Sequence, residues 1–224
     1  MYEKFYKLSE RPFSLLPDPD FLFLSDKHRT GLDMLELAVF NQSGFCVVSG
    51  EIGAGKTTLI RELLNRLDDS IRTGLVSNTH ASFGVLMQWI MAAYDMRCDT
   101  DDRVELHRLF IDFVIQQYAA GKHTLLIIDE AQNLSLDAME ELRMLSNVNT
   151  EKDLVLQVIL VGQGELQEKL QRPELRQFMQ RIAINYHLTG LNREETAAYI
   201  RHRVTHAGGS SHLFDASACD AVFH

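Results

Sequence analysis

The stretch GEIGAGKTT, residues 50–58, constrains this chain more than any other part of it. FCVVSG stands directly before it, a short apolar run that predicts a buried strand. Directly after it, Leu59, Ile60, Leu63, Leu64 and Leu67 recur at helical spacing. The pattern G-x-x-x-x-G-K-[ST] therefore runs from Gly50 to Thr57 in the strand–turn–helix context that gives it meaning. Gly50, Gly53 and Gly55 let the backbone fold into a nest of N–H groups around phosphate oxygens. The N-terminus of the following helix adds a favourable field for an anion.

This reading sets the expected roles. The run Gly50, Glu51, Ile52, Gly53, Ala54, Gly55, Lys56, Thr57 and Thr58 is expected to hold the phosphates of a nucleotide. Lys56 supplies a point charge to the outer phosphates and Thr57 a hydroxyl to magnesium. A second stretch, LLIIDEAQNL (residues 125–134), begins with four aliphatic residues and then places Asp129 and Glu130 side by side. The aliphatic run predicts a strand buried on both faces in a parallel sheet. Two carboxylates at its tip cost desolvation and mutual repulsion unless a cation or a reaction uses them. With the phosphate loop upstream, Asp129 is expected in the Mg2+ shell and Glu130 as the base that polarises the attacking water.

RTGLVSN reads as an extra strand between the loop strand and the acidic strand. Together with the glutamate after the aspartate, it points to the hydrolysing branch of phosphate-loop proteins. An N-K-x-D guanine signature and an LSGGQ motif are both absent from the sequence, which leaves ATP as the expected nucleotide. Gln163, in LVGQGEL just past another buried strand, is placed to hydrogen-bond the γ-phosphate or the water. Arg172, Arg176 and Arg181 cluster in QRPELRQFMQRI, where Arg176 and Arg181 are the candidates for an arginine finger reaching a neighbouring subunit. His202 and His206 are spaced i, i+4 but lack a third ligand, so they read as a surface-helix pair.

Strands alternating with helices predict an α/β fold, a parallel sheet with helices on both faces. Before it, residues 1–25 hold three of the four prolines and read as an extended, turn-rich arm. Residues 26–190 carry the core, opened by a helix that Ser25 caps. Residues 191–224 are all-helical, with Asn192 and Glu195 spaced as a capping box and Gly208 and Gly209 ending the helix. They read as an incomplete helical lid. The net charge of -9 argues against broad binding to a nucleic-acid backbone. Three cysteines without metal or redox spacing fit a reducing compartment. With no apolar run of membrane-spanning length, the chain reads as cytoplasmic.

Taken together, FYKLSERPFSLLPDPDFLFLS, GEIGAGKTT, LLIIDEAQNL, LVGQGEL and the run from PELRQFMQRI to NYHLTGL make the chain resemble the ExeA-type, or general secretion pathway protein A, ATPases. These are relatives of the AAA+ P-loop class. The resemblance covers nearly the whole chain. It implies a domain that uses ATP to assemble an envelope complex, notably by multimerising the type II secretin. It implies a homo-oligomer that works with a partner membrane ATPase, and a longer protein with a membrane span and a peptidoglycan-binding domain. Close relatives serve pili, exosortase-linked systems and DNA transposition. A DNA-transposition regulator of the same fold is one alternative reading, and an ATP-gated interaction module with little hydrolysis, which the incomplete lid suggests, is another. By the same resemblance, Pro12, Phe13 and His28 are candidates to line an adenine pocket.

Overall fold

In a computed structural model describing residues 2–14, 21–77, 86–147 and 154–223, the strands are β1 (Phe45–Gly50), β2 (Ile71–Val76), β3 (His123–Ile128), β4 (Leu156–Gly162) and β5 (Ile182–Leu188). They form one sheet in the order β2-β3-β4-β1-β5, and every pairing is parallel. All residues of β1 and β4 are buried, as are those of β3 after His123, whereas the edge strand β5 is mostly part-exposed. Continuous aliphatic runs fill the three central strands because both of their faces meet helices.

Alternate side chains show the two layers. Phe45 and Val47 of β1, Leu126 and Ile128 of β3, and Val158 and Leu160 of β4 share one core. With them pack α4 (Leu86–Ala93), α5 (Arg103–Ala119), α6 (Leu136–Leu145), α7 (Gly164–Leu170) and α8 (Arg176–Met179). Their in-between neighbours Val48, Leu125, Ile127 and Val161 are fully buried on the opposite face. There α2 (Asp26–Phe40) and α3 (Lys56–Arg66) bury Leu32, Leu35, Leu59 and Leu63. Gln157 fixes α2 to that face by donating to the Ala38 carbonyl at 2.9 Å. The α/β arrangement expected from the sequence is the one observed.

Local signals explain the helix starts. Asp102 caps α5 by accepting from the Val104 N–H at 2.8 Å, and Ser135 caps α6 by accepting from Ala138 at 3.1 Å. The sequence SFGVLMQWIMAAY, residues 82–94, reads as a helix and is described only from Leu86; SLDAMEELRMLSNV, residues 135–148, reads as another, and its last residue lies outside the described residues.

Two compact units emerge, Thr30–Leu188 and the pair Met1–Arg29 with Thr189–His224. The second holds α1 (Tyr2–Tyr6), α9 (Arg193–His206) and α10 (Ala216–Phe223). Its N-terminal segment opens with a short helical turn rather than an extended chain, and it is tied to α9. Ser9 N–H donates to the Ala207 carbonyl at 2.8 Å. Arg203, buried, donates from Nε to the Pro12 carbonyl at 2.5 Å, and its guanidinium lies 4.3 Å from the Phe21 ring centre. A cation held between an aromatic face and a carbonyl offsets its own desolvation. The Asn192–Glu195 capping box forms in full, with bonds of 2.9 and 2.8 Å. Among the described residues no helix is long and apolar enough to cross a membrane.

Candidate nucleotide site

The loop between β1 and α3 has the shape its glycines suggested, but for two separate reasons. Gly53 and Gly55 take the left-handed conformation, φ 79° and 90°, which costs other residues steric strain. Gly50 has no such backbone. A Cβ there would lie 2.3 Å from the Leu188 carbonyl oxygen, so glycine is needed for the close approach of β5. Gly55 is the N-cap of α3 and brings no side-chain acceptor, leaving the first-turn amides without a side-chain cap. That is the arrangement a helix N-terminus needs to receive an anion. Glu51 and Ile52 are exposed, Ala54 is buried, and Thr58 is half-buried in the first turn.

Lys56 is buried, and its Nζ donates to the carbonyls of Gly50 at 2.9 Å and Glu51 at 2.8 Å. The loop thus carries its cation inward, over the end of β1. Thr57, exposed, points its hydroxyl at Asp129, with Oγ1 3.4 Å from Oδ2. In the sheet, β4 lies between the acidic strand β3 and the loop strand β1. Asp129 still reaches Thr57 because it stands one residue past the end of β3.

Burial pushes the Asp129 carboxyl above its ordinary range, and the adjacent Glu130 charge adds to the shift. The Glu130 N–H, the Thr57 hydroxyl and the Lys56 charge oppose it. Two oxygen donors converge here, one of them a carboxylate under-compensated by its surroundings. Magnesium suits such a pair, because it uses one or two protein oxygens and completes its shell with phosphate and water. The donor set therefore fits the ion.

Glu130 has left-handed backbone, φ 53°, uncommon for a glutamate and a conformation that concentrates at functional sites. Its N–H donates to Asp129 Oδ1 at 2.9 Å, which holds the turn. Gln163, the residue before α7, donates from Nε2 to Glu130 Oε2 at 3.2 Å. The structure so gathers Lys56, Thr57, Asp129, Glu130 and Gln163 at one end of the sheet. One neighbour escaped the sequence reading. Gln132 donates to the same Glu130 oxygen at 2.5 Å, although it stands only two residues on, inside the stretch already singled out.

The arginines divide. Arg181 donates to the Arg143 carbonyl at 3.2 Å, to Ser146 Oγ at 2.8 Å and to Asn147 Oδ1 at 2.6 Å, closing the C-terminal end of α6. A guanidinium so engaged inside its own chain is not free to reach another. Arg176 is exposed on α8 and makes no side-chain hydrogen bond or ion pair among the described residues. Pro12, Phe13 and His28 belong to the other unit. There Phe13 packs edge-on against Phe214, and buried His28 pairs through Nδ1 with Ser25 Oγ at 2.8 Å.

A five-stranded parallel sheet with a lysine-bearing glycine loop and an acid pair at its end defines a P-loop nucleotide-binding domain. The chain belongs to the AAA domain family, whose model matches residues 40–170, more than half of it. It is 37% identical over 223 residues to general secretion pathway protein A of Aeromonas hydrophila, covering 99% of this chain and 41% of that protein. The chain thus spans less than half the length of the curated relative it matches. Its fold is also that of solved structures of much lower identity. Cdc6p from Pyrobaculum aerophilum superposes with TM-score 0.67 at 14% identity, over 92% of this chain and 58% of that one. The Aeropyrum pernix ORC2 protein, in ADPNP–ADP complexes, gives 0.63 at 14%, over 87% and 55%.

Proposed function

We propose that this chain is the magnesium-dependent ATP-binding and hydrolysing domain of a machine that assembles a bacterial envelope secretion complex, acting on the type II secretin. The observation carrying the proposal is the convergence of Lys56, Thr57, Asp129 and Glu130, with Thr57 and Asp129 3.4 Å apart. Similarity to general secretion pathway protein A supports the secretion role.

In this reading the loop amides and Lys56 hold the phosphate chain. Thr57 and Asp129 would hold Mg2+, which would supply positive charge against the negative charge of the phosphates during transfer. Glu130 takes a proton from the water as its oxygen attacks the γ-phosphorus, and ADP departs. Gln163, already bonded to Glu130, orients that water or the γ-phosphate. Arg176, exposed and unengaged among the described residues, serves a neighbouring copy in a homo-oligomer. In a longer protein the partners are a membrane ATPase and peptidoglycan. The net charge of -9 disfavours duplex DNA as a partner.

Glu130→Gln tests the assignment. ATP affinity, measured by calorimetry with Mg2+, should stay within about twofold, while phosphate release falls by a factor on the order of 10² or more, the scale of general-base catalysis. Unchanged phosphate release in that variant rejects the role of Glu130.

A further inference from the structure

We infer that Gln132 is a positioning residue for ATP hydrolysis, a carboxamide clamp that fixes the Glu130 carboxylate relative to the β4–α7 turn; the inference rests on the proposed role of Glu130. The argument begins with what Gln132 does with each end of its amide. Nε2 donates to Glu130 Oε2 at 2.5 Å, and Oε1 accepts the Gln163 backbone N–H at 3.1 Å. Gln163 in turn donates its side-chain amide to the same Glu130 oxygen at 3.2 Å. Three residues therefore close a ring in which the base is held from two sides. One of those sides is the turn that follows the neighbouring strand. Without Gln132, Glu130 would keep a single amide donor on Oε2 from that ring.

The surroundings are built to keep this clamp in place. Lys169 of α7 donates to the carbonyl oxygens of Gln132 itself and of Leu134, the latter at 2.6 Å, so the backbone carrying the clamp is also pinned to α7. Burial lowers the Lys169 pKa, the mark of an ammonium drawn in from water to make those bonds. The β4 strand ends in Gly162, where a Cβ would stand 2.7 Å from Gln132 Oε1. Any larger residue would push the amide out of the turn. The left-handed backbone of Glu130 raises the need for such restraint, because a strained residue relaxes unless its neighbours over-determine it.

A side-chain amide with both ends committed transmits position, not charge. Gln132 holds no nucleotide in this arrangement; its effect passes through Glu130. Losing it should lower the rate of the chemical step and leave nucleotide binding intact.

The test is Gln132→Met, which keeps length and volume but loses both bonds, with Gln132→Ala beside it. Both are measured on the full chain with Mg-ATP, together with wild type and Glu130→Gln. We expect kcat to fall about 10- to 100-fold with KM and ATP affinity within about twofold, the scale for losing a hydrogen bond to a charged group. Gln132→Met added to Glu130→Gln should cost almost nothing more, since residues acting as a unit are non-additive. If Glu130→Gln is inactive while both Gln132 variants turn over at the wild-type rate, the clamp is refuted and the role of Glu130 stands. If Glu130→Gln retains wild-type turnover, both fall together. A loss of ATP affinity matching the loss of kcat, or a full further loss in the double variant, identifies a structural role and also refutes the clamp.

Discussion

Replacing Gly50 by alanine isolates one claim about the phosphate loop, that its first glycine is a spacer between strands rather than a hinge. A Cβ at this position would sit 2.3 Å from the Leu188 carbonyl oxygen and 3.2 Å from its carbon, about 1 Å inside ordinary contact. The obstructing atom is backbone, and Gly50 pairs with Leu188 at the end of the β1–β5 ladder. No rotamer change can relieve the clash; the strands must separate. Overpacking of this kind costs about 1–3 kcal/mol, and a backbone obstacle places it at the upper end, ~2–3 kcal/mol. In a chain of this size that lowers Tm by roughly 5–10 °C. Gly53→Ala is the internal control. Nothing lies within 4 Å of its Cβ position, and its φ of 79° is the only penalty, about 1 kcal/mol. Urea denaturation followed by circular dichroism, on both variants without nucleotide, measures the two costs. Gly50→Ala should be the less stable. If it lies within about 0.5 kcal/mol of wild type, or above Gly53→Ala, the spacer argument is wrong.

Three further outcomes follow from charges the structure places unevenly. The folded state raises the Asp129 pKa, chiefly by burial. The penalty for its charge is therefore absent at acid pH and present once pH rises through the folded value. Asp129→Asn should be more stable than wild type at pH 7 without nucleotide, lose that advantage below about pH 4, and fail to gain stability from Mg-ATP. Thermal melts at the two pH values check this, and a variant less stable at neutral pH counts against it. Arg181→Ala removes three hydrogen bonds at the end of α6 and should cost about 1–2 kcal/mol while leaving turnover per folded molecule unchanged. Arg176→Ala should shift stability by less than about 0.5 kcal/mol and lower turnover only at concentrations where the chain self-associates; melts and concentration-dependent phosphate release would expose the reverse pattern.

What the sequence made legible is what it encodes within one or two turns of chain. The run Leu125–Ile128 announces a central strand because every residue must be apolar when both faces are covered, and β3 is buried from Thr124 onward. Asn192 and Glu195 announce a helix start because the two bonds they exchange span three residues. The phosphate loop is legible for the same reason, as are Asp129 and Glu130 beside it. The missing parts are joined by chain separations that no local pattern carries. Gln132 meets Gln163 across 31 positions, and Arg181 meets the Arg143 carbonyl across 38. Arg181 reads as a candidate finger in a basic cluster; only the placement of α6 turns it inward.

Gly50 shows the same division inside a single motif. Its need for glycine resembles that of Gly53 on paper, yet it is imposed by Leu188, a residue at the far end of the chain's core. The ring of Glu130, Gln132 and Gln163 extends this logic to chemistry. The proposed base, Glu130, follows the end of β3, while one of its amide partners, Gln163, follows the neighbouring β4, which lies between the acidic strand and the loop strand. A sheet order that inserts β4 there lets the turn after it touch Glu130, so that strand order becomes part of the proposed catalytic geometry. An adjacent β3 and β1 would bring the acids to the loop equally well and leave Glu130 without its second amide.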